Sequence, residues 1–487
     1  MRMLEVILFL VILAVTGGIL FVKPNRPMDI VFLMSVVLVM LLHGTINHFR
    51  IQMVPSYAVA LVLIIVLIHR LIKSDSKHKS QSIPKSLFKK SFVCILVLIF
   101  IGTSAYLSFL LPVFTMPKPT GNYGIGTVSA HLTDESRGET LSTSPDDKRE
   151  IMVNVWYPVD QKDTEGNTVE HYPSELGEAI SLVFNIPKQL FTHLSQVPTH
   201  VVQGAKISTA ESEYPVLLFS PGVRSTRFQS LTTIEELVSH GYIVVGLDHP
   251  YTSAKVTFPD GRSIFYKPDT KSMTASELYK HNIGNVGIRV ADVRFLLDTL
   301  TKWNKKDPNA LLKGKLDLDR IGMFGHSYGG ATTAEALAQD NRLKAGVSLE
   351  GGFWGSVSQK GLKQPFMYFM SGGTAASFDP SNIKKDKVFY EEFIPDLQSV
   401  INKSTNSTYY LTIDHFIHQS FTDISLMSPL LFAKDIDQVH NIDITRSYVR
   451  AFFDQYLKGN HSILLDGPSS KYPEVKFSDI YTKKRLN

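Results

Sequence analysis

Hydrophobic positions are laid out along this chain in two unlike ways. Up to residue 115 they form four nearly unbroken blocks, at residues 4–22, 28–44, 54–69 and 92–114. Each is near the ~17–25 residues that a membrane-crossing helix needs. From Met116 onward the blocks give way to short runs, after a linker marked by Pro117, Pro119, Gly121 and Gly124. These runs predict strands at 151–157, 216–220, 242–247, 320–324, 345–349, 366–370 and 409–413. Helical periodicity between them predicts helices at 231–239, 286–303 and 331–339. The later strands are continuously apolar rather than alternating, as strands covered on both faces are. The expected organisation is a four-helix membrane anchor over 1–115 and an α/β domain with a mostly parallel central sheet over 116–487.

Charge orients the anchor. Arg70, Lys73, Lys77, Lys79, Lys85, Lys89 and Lys90 cluster after the third block, and such loops stay cytoplasmic. Lys23 and Arg26 then lie on the same side, while the N-terminus, the Arg50 loop and everything after Phe114 face outward. Arg2 ahead of an apolar core also fits a signal peptide, but three further spans favour a retained multi-pass anchor in the cell membrane. The bilayer is therefore one expected partner, with the soluble domain extracytoplasmic. No ionisable residue stands at the middle of a span, which argues against a transport pathway.

Composition narrows the chemistry. The net charge of +5 over 487 residues is too small and too scattered for nucleic acid. Cys94, the only cysteine, sits in the fourth block, which excludes an intrachain disulfide and a thiolate metal cage and disfavours a cysteine nucleophile. Asn402, Asn406 and Asn460 stand in glycosylation sequons, which matter only in a eukaryotic source.

The sharpest motif is Gly325-His326-Ser327-Tyr328-Gly329, between a predicted strand and a predicted helix. Such a G-x-S-x-G elbow lifts a serine hydroxyl out of a sheet, and glycines are required where a β-carbon would strike the neighbouring strand or helix. The fold expected is therefore the α/β hydrolase, with Ser327 as nucleophile. A serine needs a base to take its proton and an acid to hold that base, and in this fold both follow it in the chain. His415, His418, His440 and His461 are eligible. The loop Asp414-His415-Phe416-Ile417-His418, directly after the last apolar strand, is where the fold delivers its base. Glu350, at a strand end before Gly351-Gly352, is the first candidate acid, and Asp379 competes with it. The amide of Tyr328 and that of Val223, in the Pro221-Gly222-Val223-Arg224 turn, are candidate oxyanion donors. Asp414, His415 and His418 have metal-ligand chemistry, but no spacing elsewhere completes a site, so neither metal nor cofactor is expected.

These residues resemble the plasma and intracellular type II platelet-activating factor acetylhydrolases and their bacterial relatives. Carrying the resemblance are Val153 to Pro158, Pro215 to Gly222, Ser239-His240-Gly241-Tyr242, Asp248-His249 with Ser253-Ala254, Gly325 to Thr332, and His418-Gln419-Ser420-Phe421. The resemblance implies Ser327 as nucleophile, His418 rather than His415 as base, and Glu350 as acid. It departs from the family in having glutamate where aspartate is usual, and in lacking a histidine before Gly222. It implies a structural, loop-anchoring His249. It also implies metal-free hydrolysis of small esters, short-acyl phospholipids among them, through an acyl-enzyme. Acyl transfer to another acceptor, polyester or peptide hydrolysis, and a silent membrane sensor are the competing functions. Apolar positions from Leu176 to Leu194, at helical spacing, would cap the site, lie against lipid or pack on the core.

Overall fold

The computed structural model describes residues 1–74, 87–267, 272–307, 311–377, 387–432 and 437–484. The chain divides into two compact units. One is Met1–Phe114 with Pro187–Val197, the other Thr115–Ile186 with Pro198–Asn487.

The first unit contains α1 (Met3–Phe21), α2 (Arg26–Leu42), α3 (Val54–Ser74) and α4 (Leu87–Leu110). All four lie in helical segments long and apolar enough to cross a membrane. Leu8, Ile12, Val36, Met53 and Leu67 form their shared interior, while Leu38, Leu61, Ile65 and Ile99 remain exposed. Helices apolar on every face suit a lipid surround, where all backbone groups must be bonded within the segment. α4 starts at Leu87 rather than at residue 92, because Lys89 and Lys90 occupy its first turns. Two ion pairs tie the bundle at opposite ends. Arg50 meets Glu5 at 2.8 Å, joining the start of α1 to the α2–α3 connection. Arg70 meets Asp29 at 3.5 Å, joining the end of α3 to the start of α2.

The apolar stretch predicted as one helix-spaced run breaks in two. α5 (Ser174–Phe184) ends at Asn185, which takes a left-handed φ of 53°, and Pro187 prevents continuation. Beyond the proline, Lys188–Gln196 forms a 3₁₀ segment that belongs to the first unit. There Gln52 Nε2 donates to the Leu190 carbonyl at 2.7 Å, and Arg2 donates to Gln196 Oε1 at 3.0 Å.

The second unit is built on an eleven-stranded sheet. Its strands are β1 (Gly124–Gly138), β2 (Lys148–Val159), β3 (Val169–His171), β4 (Pro198–Gln203), β5 (Tyr214–Ser220) and β6 (Ile243–Asp248). After a small ribbon of β7 (Lys255–Thr257) and β8 (Ser263–Phe265) come β9 (Leu316–His326), β10 (Leu343–Leu349), β11 (Phe366–Ser371), β12 (Thr408–Ile413) and β13 (Val475–Phe477). The order is β13-β12-β11-β10-β9-β5-β6-β2-β1-β4-β3. From β12 to β6 all neighbours are parallel. β5, β6 and β11 are buried at every position, which accounts for their unbroken apolar sequence. All seven predicted strands lie in this sheet. β1 was not predicted, since its small and polar residues, His131 and Asp134 included, do not alternate cleanly.

α6 (Leu231–Ser239) has the predicted bounds. α7 (Ala275–Lys305) begins eleven positions before the predicted 286, opened by a Thr274–Glu277 capping box. Its first turns carry His281, Asn282 and Asn285, which face a cavity instead of the core, so the apolar period is absent there. α8 (Tyr328–Gln339) comes directly after β9. In such sheets ligands bind beyond the carboxyl ends of the parallel strands, where the strand order reverses, here between β5 and β9.

Candidate active site

Ser327 occupies the turn between β9 and α8 with φ 55° and ψ −119°, a conformation costly for a residue with a β-carbon. Packing holds it there. Its amide donates to the Leu349 carbonyl at 2.8 Å, and its carbonyl accepts from Ala331 at 3.1 Å. A β-carbon on Gly329 would overlap the Ser220 carbonyl oxygen, and one on Gly325 would overlap the Gly329 backbone. Gly329→Ala is therefore expected to cost about 3 kcal/mol or more, because two backbones must separate. A Gly329→Ala chain with wild-type unfolding and turnover would contradict this packing.

The two remaining members of the predicted triad converge on the same edge. Glu350, just past β10, is held at φ 57° with its amide bonded to Phe369. Its Oε1 accepts from the Ser371 hydroxyl at 2.9 Å, and its Oε2 stands 3.4 Å from His418 Nδ1. The longer side chain is thus accommodated by a left-handed backbone and a serine that pins one oxygen. His418 shares a cavity wall with Ser327, although among the described residues no hydrogen bond joins the two side chains. Hydrogen bonds of this kind commonly tighten only with substrate in place. His415 is exposed on the turn before. His440 pairs with Glu474 and His461 with Asp466. Asp379 lies outside the described residues.

The loop after β5 closes over the elbow. A β-carbon on Gly222 would stand 3.4 Å from that of Ser327. Gly222 N–H donates to Gln229 Oε1 at 2.8 Å and Arg224 N–H to Thr252 at 2.9 Å. The Val223 amide between them, and the Tyr328 amide at the first turn of α8, donate to nothing among the described residues. Two unbonded amides beside one hydroxyl are what a developing oxyanion requires.

Sequence reasoning missed the residues that position this loop. Gln229 Nε2 lies 3.0 Å from His326 Nδ1, and His326 Nε2 lies 2.8 Å from the His418 carbonyl. Burial pushes the His326 imidazole well down, with the nearby His418 adding to the effect. A neutral ring donating from Nε2 and accepting at Nδ1 links the His418 loop to the Gly222 loop.

A second array is buried except for the partly exposed Arg137. The Ser220 hydroxyl is 2.9 Å from His249 Nε2, and His249 Nδ1 is 2.8 Å from Asp292. Asp292 also pairs with Arg149 at 2.6 Å and Arg137 at 2.9 Å. Burial alone would raise its pKa, but the Arg149 guanidinium and the His249 hydrogen bond together outweigh this and hold it below the usual carboxylate range. An ionised carboxylate only accepts, so the Nδ1 proton is on His249 and Nε2 accepts from Ser220. One turn earlier on α7, Arg289 donates to the Pro221 carbonyl at 2.7 Å and to Thr252 Oγ1 at 3.0 Å. The sequence signals were the family resemblance, which implied a loop-anchoring His249, and a charged pair, Arg289 and Asp292, on the apolar face shared with Val293 and Leu296.

Burial pushes His249 down to about 4, helped by the Arg289 charge. Its unfolded value is about 6.5, so between these limits the unfolded chain takes up a proton that the folded chain refuses. The stability His249 contributes is present above pH about 6.5 and is lost as pH falls toward 4. The gap in unfolding free energy between wild type and His249→Gln should therefore shrink by about 1.4 kcal/mol per pH unit across that window. Urea titrations followed by Trp156, Trp303 and Trp354 fluorescence would show it. A gap that is constant or widens on acidification would refute the neutral, buried ring.

Two cavities meet at Ser327. One of about 620 Å³ is lined by Arg224, Tyr266, Asn282, Trp354, Glu350 and His418 among others. The other, about 220 Å³, is walled by Leu176, Ala179, Ile180 and Val183 of α5. α5 therefore forms part of the site wall.

A family model described as platelet-activating factor acetylhydrolase, isoform II, matches residues 112–458. The chain belongs to this acetylhydrolase family. The match leaves the four apolar helices outside. A probable 1-alkyl-2-acetylglycerophosphocholine esterase of Arthroderma benhamiae is 28% identical over 419 residues, covering 81% of this chain and all of that protein. A platelet-activating factor acetylhydrolase of Cavia porcellus is 25% identical over 370 residues, 70% of this chain and 78% of that one. Among solved structures, a ferulic acid esterase from Streptomyces cinnamoneus superposes with a TM-score of 0.60 at 27% identity, over 75% of this chain and 99% of that one. Acetylhydrolase family membership, an esterase neighbour and the mostly parallel sheet together make the chain a serine ester hydrolase of the α/β-hydrolase fold.

Proposed function

We propose that this acetylhydrolase is a multi-pass membrane enzyme whose outward-facing domain, residues 116–487, cleaves short-acyl esters, 2-acetyl phospholipids among them. Residues 1–115 form its anchor. The reading is carried by one observation: Ser327, His418 and Glu350 line a single cavity at the carboxyl edge of the sheet, beside two unbonded amides. The Ser327 hydroxyl attacks the ester carbonyl while His418 takes its proton and Glu350 stabilises the resulting imidazolium. Amides of Val223 and Tyr328 hold the oxyanion. Collapse expels the alcohol, which takes the proton back from His418 and leaves an acyl group on Ser327. Water, deprotonated by the same histidine, then releases the acid. The names of the fungal and mammalian relatives support an acetyl ester of a glycerophospholipid as substrate, and the small cavity walled by α5 suits a short acyl chain.

The test is turnover of a 4-nitrophenyl short-chain ester and a 2-acetyl phospholipid by the full chain in detergent. His418→Ala is expected to lower kcat by about 10⁴-fold or more, and Glu350→Ala by about 10³- to 10⁴-fold. A His418→Ala chain that keeps its turnover, or a wild type that cleaves no ester, would sink the proposal.

A further inference from the structure

Arg224 is the residue left over by this mechanism. It comes directly after the candidate oxyanion donor Val223 and sits at φ 54°, where a non-glycine residue is held only by its surroundings. Those surroundings are one loop. Arg224 N–H donates to Thr252 at 2.9 Å, and Ala254 N–H donates to Ser225 at 2.9 Å. Tyr266 and Lys267 donate to Ala254 and Tyr251 of the same loop, at 3.1 and 3.0 Å. The loop thus fixes the Tyr266 ring, whose centre lies 4.3 Å from the Arg224 guanidinium carbon. A guanidinium stacked on an aromatic ring keeps its edge donors free and loses little further freedom when an anion binds.

Charge balance singles Arg224 out. The neighbouring arginines are committed: Arg227 to Asp248, Arg149 and Arg137 to Asp292, and Arg262 to Glu150 and Asp260. Arg289, also without a carboxylate, is buried, gives Nη1 to Pro221 and Nε to Thr252, stacks on the Tyr328 ring and lines neither cavity. Arg224 alone lines both cavities with Ser327 and, among the described residues, pairs with no carboxylate. Glu350, beside His418, is the only acid among the described residues lining the large cavity, and none lines the small one. Asn282 and Asn285 add neutral hydrogen-bonding groups to the large one, and His281 an imidazole.

We infer that Arg224, stacked on Tyr266, is an anion-recognition subsite in the large cavity, selecting esters whose alcohol portion carries a phosphodiester or a carboxylate. The inference rests on the hydrolase reading above and adds the residue that discriminates among esters. The small cavity takes the acyl group, the large one the alcohol, and the guanidinium edge meets the anion there by charge-assisted hydrogen bonds.

Full-length chain in uncharged detergent would be assayed on matched pairs. A 1-alkyl-2-acetylglycerophosphomethanol against its uncharged methyl ether tests a phosphodiester. Acetylsalicylate against its methyl ester tests a carboxylate. A 4-nitrophenyl hemiglutarate against the valerate places the anion on the acyl side. Wild type is expected to favour the charged member of the first or second pair by about tenfold or more in kcat/KM, the larger ratio naming the source of the anion. Arg224→Gln should reduce that ratio about tenfold, Arg224→Lys less, and Tyr266→Leu in part. Because a substitution at φ 54° can disturb the loop, the wild type is also titrated with sodium chloride. Its KM for the favoured charged ester should rise with salt more steeply than for the uncharged one. Equal ratios in wild type and Arg224→Gln, salt dependence alike for both esters, or a charge preference only in the hemiglutarate pair would overturn the subsite while leaving the hydrolase reading intact. A wild type that cleaves none of the six esters overturns that reading and this one with it.

Discussion

Replacing Ser327 by alanine is expected to lower kcat for a short-chain ester by about 10⁴- to 10⁶-fold, while the chain keeps its fold. The elbow is specified by its surroundings rather than by the hydroxyl. Gly325, Gly329 and Gly351 allow backbones to touch, and the Ser327 amide is bonded to β10. Alanine therefore meets the same strain as serine. Glycine does not, because φ 55° costs it nothing sterically. Ser327→Gly should be as inactive as alanine, yet more stable than wild type by about 1–3 kcal/mol, the usual cost of a strained backbone at a functional site. Turnover and urea unfolding of both variants would test the pair of claims. Activity retained in either variant removes Ser327 as nucleophile, and a glycine variant no more stable than alanine removes the strain.

The elbow was legible because its chemistry is local. A strand, a glycine-flanked serine and a helix must be adjacent in sequence, so the motif, β9 and α8 could be read together. The central strands were legible for a related reason, since burial on both faces writes an apolar run into β5 and β11. Position after β10 and β12 narrowed the acid to Glu350 or Asp379 and the base to a loop holding His415 and His418, the family resemblance chose Glu350 and His418, and the geometry brings these two within 3.4 Å of each other. What could not be read comes from distant segments or from faces that meet no core. β1 is a long strand of small and polar residues, and the first turns of α7 face a cavity. Gln229 acts through His326, and Ser220 through His249 and Asp292, across separations that no local pattern encodes. The break at Asn185 was written in the sequence as Asn-Ile-Pro, but the uninterrupted apolar spacing around it concealed it.

The second large effect is expected at Asp292. Its carboxylate is fully buried and receives Arg149, Arg137 and His249. Asparagine keeps the size but removes the charge, leaving two guanidinium groups facing each other with Glu139 and Asp134 as their remaining carboxylates. Breaking such a cluster from one side costs about 3–5 kcal/mol, because the abandoned charge stays desolvated. The same substitution should reach the chemistry. His249 loses the ionised acceptor that fixes its tautomer, and with it the hold on Ser220, whose carbonyl packs against Gly329 and whose neighbours Pro221 to Val223 carry an oxyanion amide. A displacement of about 1 Å there costs about 10²-fold, and loss of one oxyanion donor costs about 10²- to 10³-fold. Asp292→Asn is therefore expected to lower kcat by about 10²-fold with KM little changed, at temperatures where the variant is still folded. Phosphonylation of Ser327 by an organophosphonate should slow in parallel, since it uses the same hole. Asp292→Glu, which restores the charge, should recover part of both losses. If the folded Asn variant turns over at the wild-type rate, the buried array holds the fold alone and the oxyanion loop is set by Arg289 and Gln229 without it.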